Sequence, residues 1–218
     1  MPSIPTGEKR KLKVLITGFG PFKHVTTNPS WLAAEPLNNQ TFDFGQVEVH
    51  ISALEIPTVY SAVLNTIPAL HASKQYDAIL HFGVGHPGGF AIESCAHKSG
   101  YDGQDAEDRK CNLISVEGGE KRGFGAGFEQ FGDLHTEVDV DGLVEHLKSK
   151  GFEHTAPSND AGRYLCDFIY FCSLACARKE GDGVKVLFTH VPPLGQPYDI
   201  PDMTKAIEGI IEYIALQS

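Results

Sequence analysis

Short apolar runs alternate along the chain with longer stretches of mixed apolar and polar residues. The apolar runs are rich in β-branched side chains and end at glycine, proline or polar residues, which is typical of buried strands. They predict strands at 11–19, 47–56, 76–82, 90–96 and 184–189, and a short strand or turn at 152–156. The mixed stretches predict helices that begin at Asn28-Pro29-Ser30 and cover 58–73, 140–150, 162–179 and 202–216. Strands that alternate with helices predict one layered α/β domain over residues 1–218 with a mainly parallel sheet.

Some parts of the chain interrupt this regular pattern. Pro68 lacks the backbone N–H that a helix interior needs, so we expect the helix over 58–73 to kink or end there. Residues 102–134 combine many glycines with mixed charges and no clear period, which predicts a long irregular excursion, either a lid or a disordered segment. Residues 1–10 are expected to be flexible.

The composition narrows the class of partner. The 218 residues include 18 Lys and Arg against 28 Asp and Glu, a formal net charge of −10. Nucleic acids and anionic membranes would be repelled by this charge, so neither is expected as a partner. A small molecule or a peptide is the better expectation for a substrate.

The cysteines and the chain ends bear on the compartment. Five cysteines are an odd number and lack the spacing of a disulfide framework, so each is interpreted as a thiol in a reducing environment. Residues 1–13 contain no apolar stretch of the kind that a secretory signal needs, and the longest apolar stretch, 168–177, is too short to span a bilayer. These features predict a cytoplasmic protein.

Two motifs are weighed and set aside. Residues 83–88 (GVGHPG) match the G-x-G-x-x-G string, but Pro87 and the strand-like segment after it leave no helix to receive a pyrophosphate. His81, His86 and His97 lie in one stretch, and Cys172 and Cys176 share a helical spacing, yet neither set has a known zinc spacing. We interpret these as surface histidines and core thiols and expect no metal.

Two phenylalanines follow the first predicted strand. Phe19 and Phe22 lie in the turn TGFGPF, at the carboxyl end of that strand, where ligands bind in open α/β sheets. Their rings are suited to form the walls of a small flat pocket. The alternative is that both rings simply fill the core.

Three further residues could form a nucleophile, base and orienting group. Cys166 follows the capping candidates Ser158, Asn159 and Asp160, and a thiol early in a helix is favoured as a thiolate, although the effect fades beyond the first turn. His190 ends a strand and Glu93 lies in an otherwise apolar strand. Together they fit cysteine, general base and carboxylate roles, whereas each residue alone is better explained as a core thiol or a surface charge.

Segments spread over nearly the whole chain resemble the type one pyroglutamyl peptidases (pyrrolidone-carboxylate peptidases), and most closely the animal-type members. The matching segments are TGFGPF at 17–22 with NPSW at 28–31, ESCAHKSGY at 93–101, SNDAGRYLCDF at 158–168 and HVPPLGQPY at 190–198.

The resemblance implies a three-layer α/β/α sandwich and a cysteine omega peptidase that removes an N-terminal pyroglutamyl residue from small peptides without a cofactor. It implies Glu93, Cys166 and His190 as the catalytic residues and Phe19 and Phe22 as the ring-binding pair. The segment at 83–89 departs from the bacterial pattern. The family's oxyanion-stabilising arginine has no aligned counterpart, with Arg109 an unsupported candidate.

Two other functions remain open at this stage. A catalytically silent relative could use the same fold as a binding protein, although the intact Cys, His and Glu argue against this. A nucleoside-phosphorylase-like enzyme would share a similar sheet, but the chain has no arginine cluster or glycine-rich loop that opens a helix to hold phosphate. The sequence also leaves open whether the chain forms a homo-oligomer.

Overall fold

A mixed, seven-stranded sheet lies at the centre of the protein in a computed structural model that describes residues 9–22, 25–116, 119–181 and 183–217. The sheet order is β10-β5-β11-β4-β1-β3-β2, and β6 with β9 and β7 with β8 form two small separate sheets. In chain order the strands are β1 Arg10–Phe19, β2 Thr41–Asp43, β3 Val47–Ile56, β4 Ala78–Val84, β5 Phe90–Glu93, β6 Cys95–Ala96, β7 Leu113–Val116, β8 Gly119–Arg122, β9 Leu134–His135, β10 Thr155–Ser158 and β11 Lys185–Val191.

The strand directions confirm a mainly parallel sheet. Strands β3, β1, β4 and β11 run parallel to one another, whereas β5 runs antiparallel to β11, and β10 runs parallel to β5. The short edge strand β2 is antiparallel to β3. Strands β4 and β11 are buried along most of their length, as near-continuous apolar runs predict for strands that are covered on both faces.

Helices cover both faces of the sheet and complete an α/β/α sandwich. Helices α1, α3 and α5 contribute to one cluster of buried apolar side chains, and α2 and α4 contribute to the other. Among the described residues, none of these helices has both the length and the apolar character that a membrane span requires. The helices are α1 Pro29–Ala34, which continues into a 3-10 turn at Glu35–Leu37, α2 Tyr60–Ala72, α3 Val140–Ser149, α4 Leu165–Glu180 and α5 Ile200–Gln217.

Several predicted boundaries are wrong for identifiable reasons. Helix α2 runs through Pro68 to Ala72, because the buried side chains of Ile67 and His71 hold this part of the helix against the core. The run at 90–96 divides into β5, in the main sheet, and β6, which pairs with β9. Of the stretch 1–10, residues 1–8 lie outside the described residues, and Arg10 already belongs to β1.

The segment 102–134 is not wholly irregular. It contains the β7–β8 hairpin and Phe124, whose ring stacks on Phe168 of α4 with centroids 4.2 Å apart. The ring centroids of Phe124 and Phe171 lie 4.6 Å apart. None of the described residues of 102–134 lines the large cavity that is described in the next section. The segment therefore covers the side of α4 that the sheet leaves open, which is why this helix is buried along residues 167–176.

Candidate active site

One large cavity brings the predicted site residues together. It has a volume of about 760 Å³, a size typical of small-molecule sites. Its lining includes Phe19, Phe22, Glu93, Cys166 and His190. Residues from four separate segments of the chain thus meet in one concave site.

Cys166 lies in the first turn of α4. The helix begins at Leu165, later than predicted, so Cys166 is its second residue. The residue before the helix, Tyr164, makes no side-chain cap, and the predicted cap Asp160 instead accepts a 3.0 Å hydrogen bond from the backbone N–H of Gly162 in the preceding turn. The thiol is partly exposed. Because Cys166 lies inside the first turn of α4 and not beyond it, the helix dipole acts on the sulfur more strongly than the sequence predicted.

His190 and Glu93 form a buried pair across two neighbouring strands. The antiparallel register of β5 and β11 places Glu93 opposite Phe188, two residues before His190, so both side chains lie on the same face of the sheet. His190 Nδ1 is 2.8 Å from Glu93 Oε1, and the Glu93 side chain is only 1% exposed. This bond occupies Nδ1 and leaves Nε2 of the imidazole available for the Cys166 side chain, which acts electrostatically on His190.

The charges around His190 favour its protonated form. Burial alone would lower the pKa of His190, because a charged imidazole loses hydration. The negative charge and hydrogen bond of Cys166, followed by those of Glu93, outweigh burial and raise the pKa of His190 to about 10. The arrangement therefore holds His190 as an imidazolium beside the Cys166 side chain at neutral pH.

Two glycines make room for these side chains. A Cβ atom at Gly83 would lie 2.8 Å from Sγ of Cys166 and 2.8 Å from Cζ of Phe188. A Cβ atom at Gly85 would lie 2.8 Å from Cβ of His190. The G-x-G string does not match a nucleotide site, and its role in making room for the two side chains is not visible in that motif. Two glycines at the end of a buried strand were also a signal of close approach by other chain segments.

Phe19 and Phe22 differ in their surroundings. Phe19 is 4% exposed and belongs both to the buried core and to the cavity wall, so both interpretations offered by the sequence hold for it. Phe22 is half-buried, and its ring centroid lies 6.0 Å from that of Tyr164.

The turn that carries the two phenylalanines is held by a polar network that the sequence analysis did not anticipate. Ser30 Oγ accepts a 3.1 Å hydrogen bond from the backbone N–H of Phe19, and Asn28 Nδ2 donates to the carbonyl of Gly20 at 3.2 Å. Asn28 also caps α1, as predicted, by accepting from the backbone N–H of Ser30.

The remaining candidates lie elsewhere. Arg109 is exposed, binds Glu107 and donates to Ser61 Oγ at 3.0 Å, and does not line the cavity. His81 is buried at 1% exposure against Thr17, so its interpretation as a surface histidine is wrong. Cys172 and Cys176 are buried thiols that lie one turn apart within α4. Among the residues that the structure describes, no cluster of three His, Cys, Asp or Glu could hold a metal ion.

Comparisons with known proteins agree with the fold. The sequence profile of the pyroglutamyl peptidase family matches residues 12–207. Pyroglutamyl-peptidase 1 from Mus musculus is 34% identical over 209 residues, which cover 94% of this chain and 90% of the mouse protein. The pyrrolidone-carboxylate peptidase of Bacillus subtilis (strain 168) is 27% identical over 84% of this chain and 80% of its own length. The crystal structure of pyroglutamyl peptidase I from Bacillus amyloliquefaciens superposes with a TM-score of 0.79 at 22% identity, covering 95% of this chain and 98% of that one.

Proposed function

The chain belongs to the pyroglutamyl peptidase family, and from that premise we propose that it removes the N-terminal pyroglutamyl (5-oxoprolyl) residue from small peptides. Cys166 is the nucleophile, His190 the general acid and base, and Glu93 the group that orients and stabilises the imidazole. The observation that carries the proposal is the 2.8 Å contact of His190 with Glu93 in the same cavity as the Cys166 thiol.

The chemistry begins at the thiolate of Cys166. Its sulfur forms a bond to the carbonyl carbon of the pyroglutamyl residue, and the carbonyl oxygen becomes an oxyanion. Collapse of this intermediate breaks the C–N bond, and the imidazolium of His190 donates its proton to the leaving amine. Neutral His190 then takes a proton from water, which attacks the thioester and releases pyroglutamate and the thiolate.

The start of α4 supports the oxyanion. Cys166 lies in the first turn, where backbone N–H groups lack intrahelical acceptors and the helix dipole is positive. A negative charge that develops on the carbonyl oxygen, two bonds from Sγ, is stabilised by this potential. The cavity lining, as far as the structure describes it, contains no arginine. We therefore assign stabilisation of the oxyanion to the start of α4.

The rings of Phe19 and Phe22 are proposed to hold the lactam of the substrate. A pyroglutamyl residue has no free amino group, so a site that recognises it needs apolar walls and a few hydrogen bonds rather than an anionic pocket for an ammonium group. Both phenylalanines line the cavity that contains the thiol.

The five free thiols support a reducing, cytoplasmic location for the enzyme.

A fluorogenic pair of substrates tests the function. We expect turnover of pyroglutamyl-aminomethylcoumarin, no turnover of the prolyl analogue, loss of activity after treatment with iodoacetamide, and no dependence on phosphate. Binding of the pyroglutamyl compound without turnover would instead support a catalytically silent relative. Turnover that requires phosphate would support a phosphorylase.

Phe22→Ala is expected to raise KM about tenfold or more, because the variant loses one apolar wall of the ring pocket. If stacking on this ring also positions the scissile carbonyl, kcat falls as well. Steady-state kinetics with circular dichroism as a check of folding measure this effect. Phe42→Ala is the matched control, since Phe42 is also half-buried but lies on the edge strand β2 outside the cavity lining. An unchanged KM in a folded Phe22→Ala enzyme removes Phe22 from the substrate site.

A further inference from the structure

Asp167 is a buried carboxylate that the proposed chemistry does not use. It follows Cys166 in the first turn of α4, and its side chain is fully buried. It does not line the large cavity, so it does not contact a substrate there. A buried carboxylate in this position needs an explanation, because burial without partners is strongly unfavourable.

The carboxylate of Asp167 binds the segment 97–101 at several points. The backbone N–H of His97 donates to Oδ1 at 3.1 Å and to Oδ2 at 3.3 Å. The hydroxyl of Tyr101 also donates to Oδ2, at 3.3 Å, and Arg163 Nη1 lies 3.6 Å from the same oxygen. The first turn of α4 is thereby fastened to a segment that is distant in sequence.

These contacts join the two halves of the proposed catalytic set. His97 follows Glu93 by four residues, and Asp167 is adjacent to Cys166. Asp167, the neighbour of Cys166, hydrogen-bonds to His97, and the short segment before His97 leads back to Glu93. Glu93 in turn binds His190, which interacts electrostatically with Cys166. A second tie lies one turn further along α4, where the Tyr170 hydroxyl donates to the carbonyl of Glu93 at 2.8 Å.

We propose that Asp167 is a positioning residue, whose hydrogen bonds to the 97–101 segment set the separation between the Cys166 thiol and the His190–Glu93 pair. The inference rests on the proposed function of Cys166, His190 and Glu93. It predicts a loss that falls on kcat rather than on KM, because the ring pocket is built from the separate turn at 17–22. A displacement of about 1 Å in a reacting group lowers the rate by about 10²-fold.

Two substitutions at Asp167 give a graded test. Asp167→Ala removes every contact and is expected to lower kcat about 100-fold with KM within about threefold of the wild type. Asp167→Asn retains one acceptor oxygen, so we expect an intermediate loss of about tenfold in kcat. Burial raises the pKa of Asp167 to about 7, so a neutral side chain is tolerated at this position and the Asn variant is expected to fold.

Asp133→Asn is the matched control. The carboxylate of Asp133 accepts a 3.0 Å hydrogen bond from the backbone N–H of Lys98, the neighbour of His97, but it is exposed and has no contact with α4. Its kcat and KM should equal those of the wild type. The rate at which iodoacetamide alkylates Cys166 is measured for every variant, since it reports on the environment of the thiol without turnover.

A kcat and an alkylation rate within twofold of the wild type in Asp167→Ala overturn the proposal, as does a rise in KM as large as the fall in kcat. If Asp167→Ala does not fold, Asp167→Asn decides, and an unchanged kcat in that variant overturns the proposal. Failure of the proposed function is seen separately, as a wild-type enzyme that does not cleave the pyroglutamyl reporter.

Discussion

A Cys166→Ser variant is expected to fold normally and to lose at least about 10³-fold in kcat. Serine is nearly isosteric with cysteine, so the first turn of α4 and the contact with Gly83 are retained. A hydroxyl is far less acidic than a thiol, however, and the pair with His190 no longer supplies an ionised nucleophile. Hydrolysis of pyroglutamyl-aminomethylcoumarin, with thermal unfolding as a check of stability, measures the loss.

Cys176→Ser is the control for this substitution. Cys176 is on the same helix but is buried and does not line the cavity. This variant should change thermal stability more than turnover. Retention of more than a few per cent of the activity in Cys166→Ser would show that the nucleophile is another group.

Glu93→Gln is expected to lower kcat by about 10- to 10³-fold, less than the loss of the nucleophile. Glutamine keeps the size of the side chain and one acceptor oxygen for His190 Nδ1, but it removes the negative charge. Loss of the orienting carboxylate of a catalytic histidine reduces the rate without abolishing it, since the nucleophile and the base both remain.

The pH dependence gives this prediction a definite sign. Glu93 is one of the groups that raise the pKa of His190, so its neutralisation lowers that pKa. The basic limb of kcat/KM should therefore move to lower pH, because imidazolium is lost earlier as the pH rises. The alkylation rate of Cys166 at neutral pH should fall with it, since less imidazolium is present to favour the thiolate.

Glu48→Gln is a matched control for Glu93→Gln. Glu48 also pairs with a histidine, with Oε1 3.0 Å from His50 Nε2, but this pair lies on β3 at the surface. Its neutralisation should leave kcat and the pH profile unchanged. A Glu93→Gln enzyme with wild-type kcat and an unmoved basic limb would reduce the proposed set to a Cys–His dyad.

The elements of this fold were largely predictable because their signals are local. The strand over 47–56 was predicted at the bounds that β3 has, and Asn28 was identified as the start of α1. Apolar runs, capping side chains and glycine stops act within a few residues of the chain, so a single sequence reveals them. The hairpin β7–β8 was missed because its strands are only four residues long, are mostly exposed, and lie in a glycine-rich stretch of mixed charge.

Each candidate residue could be identified from the sequence, but their proximity in the fold could not. For Cys166, His190 and Glu93 taken singly, the explanation as a core thiol or a surface charge was favoured, and only the resemblance to a family gave weight to the three as a set. The signal of Gly83 and Gly85 was present as a motif, but its physical cause was a pair of side chains that approach from other segments. Asp167 carried no signal at all, since an acidic residue in the first turn of a helix is ordinary.

By itself, the sequence determined the strands and helices, the α/β class and the residues with the chemistry for a thiol-dependent reaction. The tertiary structure alone decided that β5 runs against β11, which places Glu93 beside a histidine 97 residues away, and that α4 begins one residue before Cys166. The physical reason is the distance along the chain over which each kind of interaction acts. Propensity and periodicity depend on neighbours in the chain, whereas strand order, register and close approach depend on which distant surfaces are buried together.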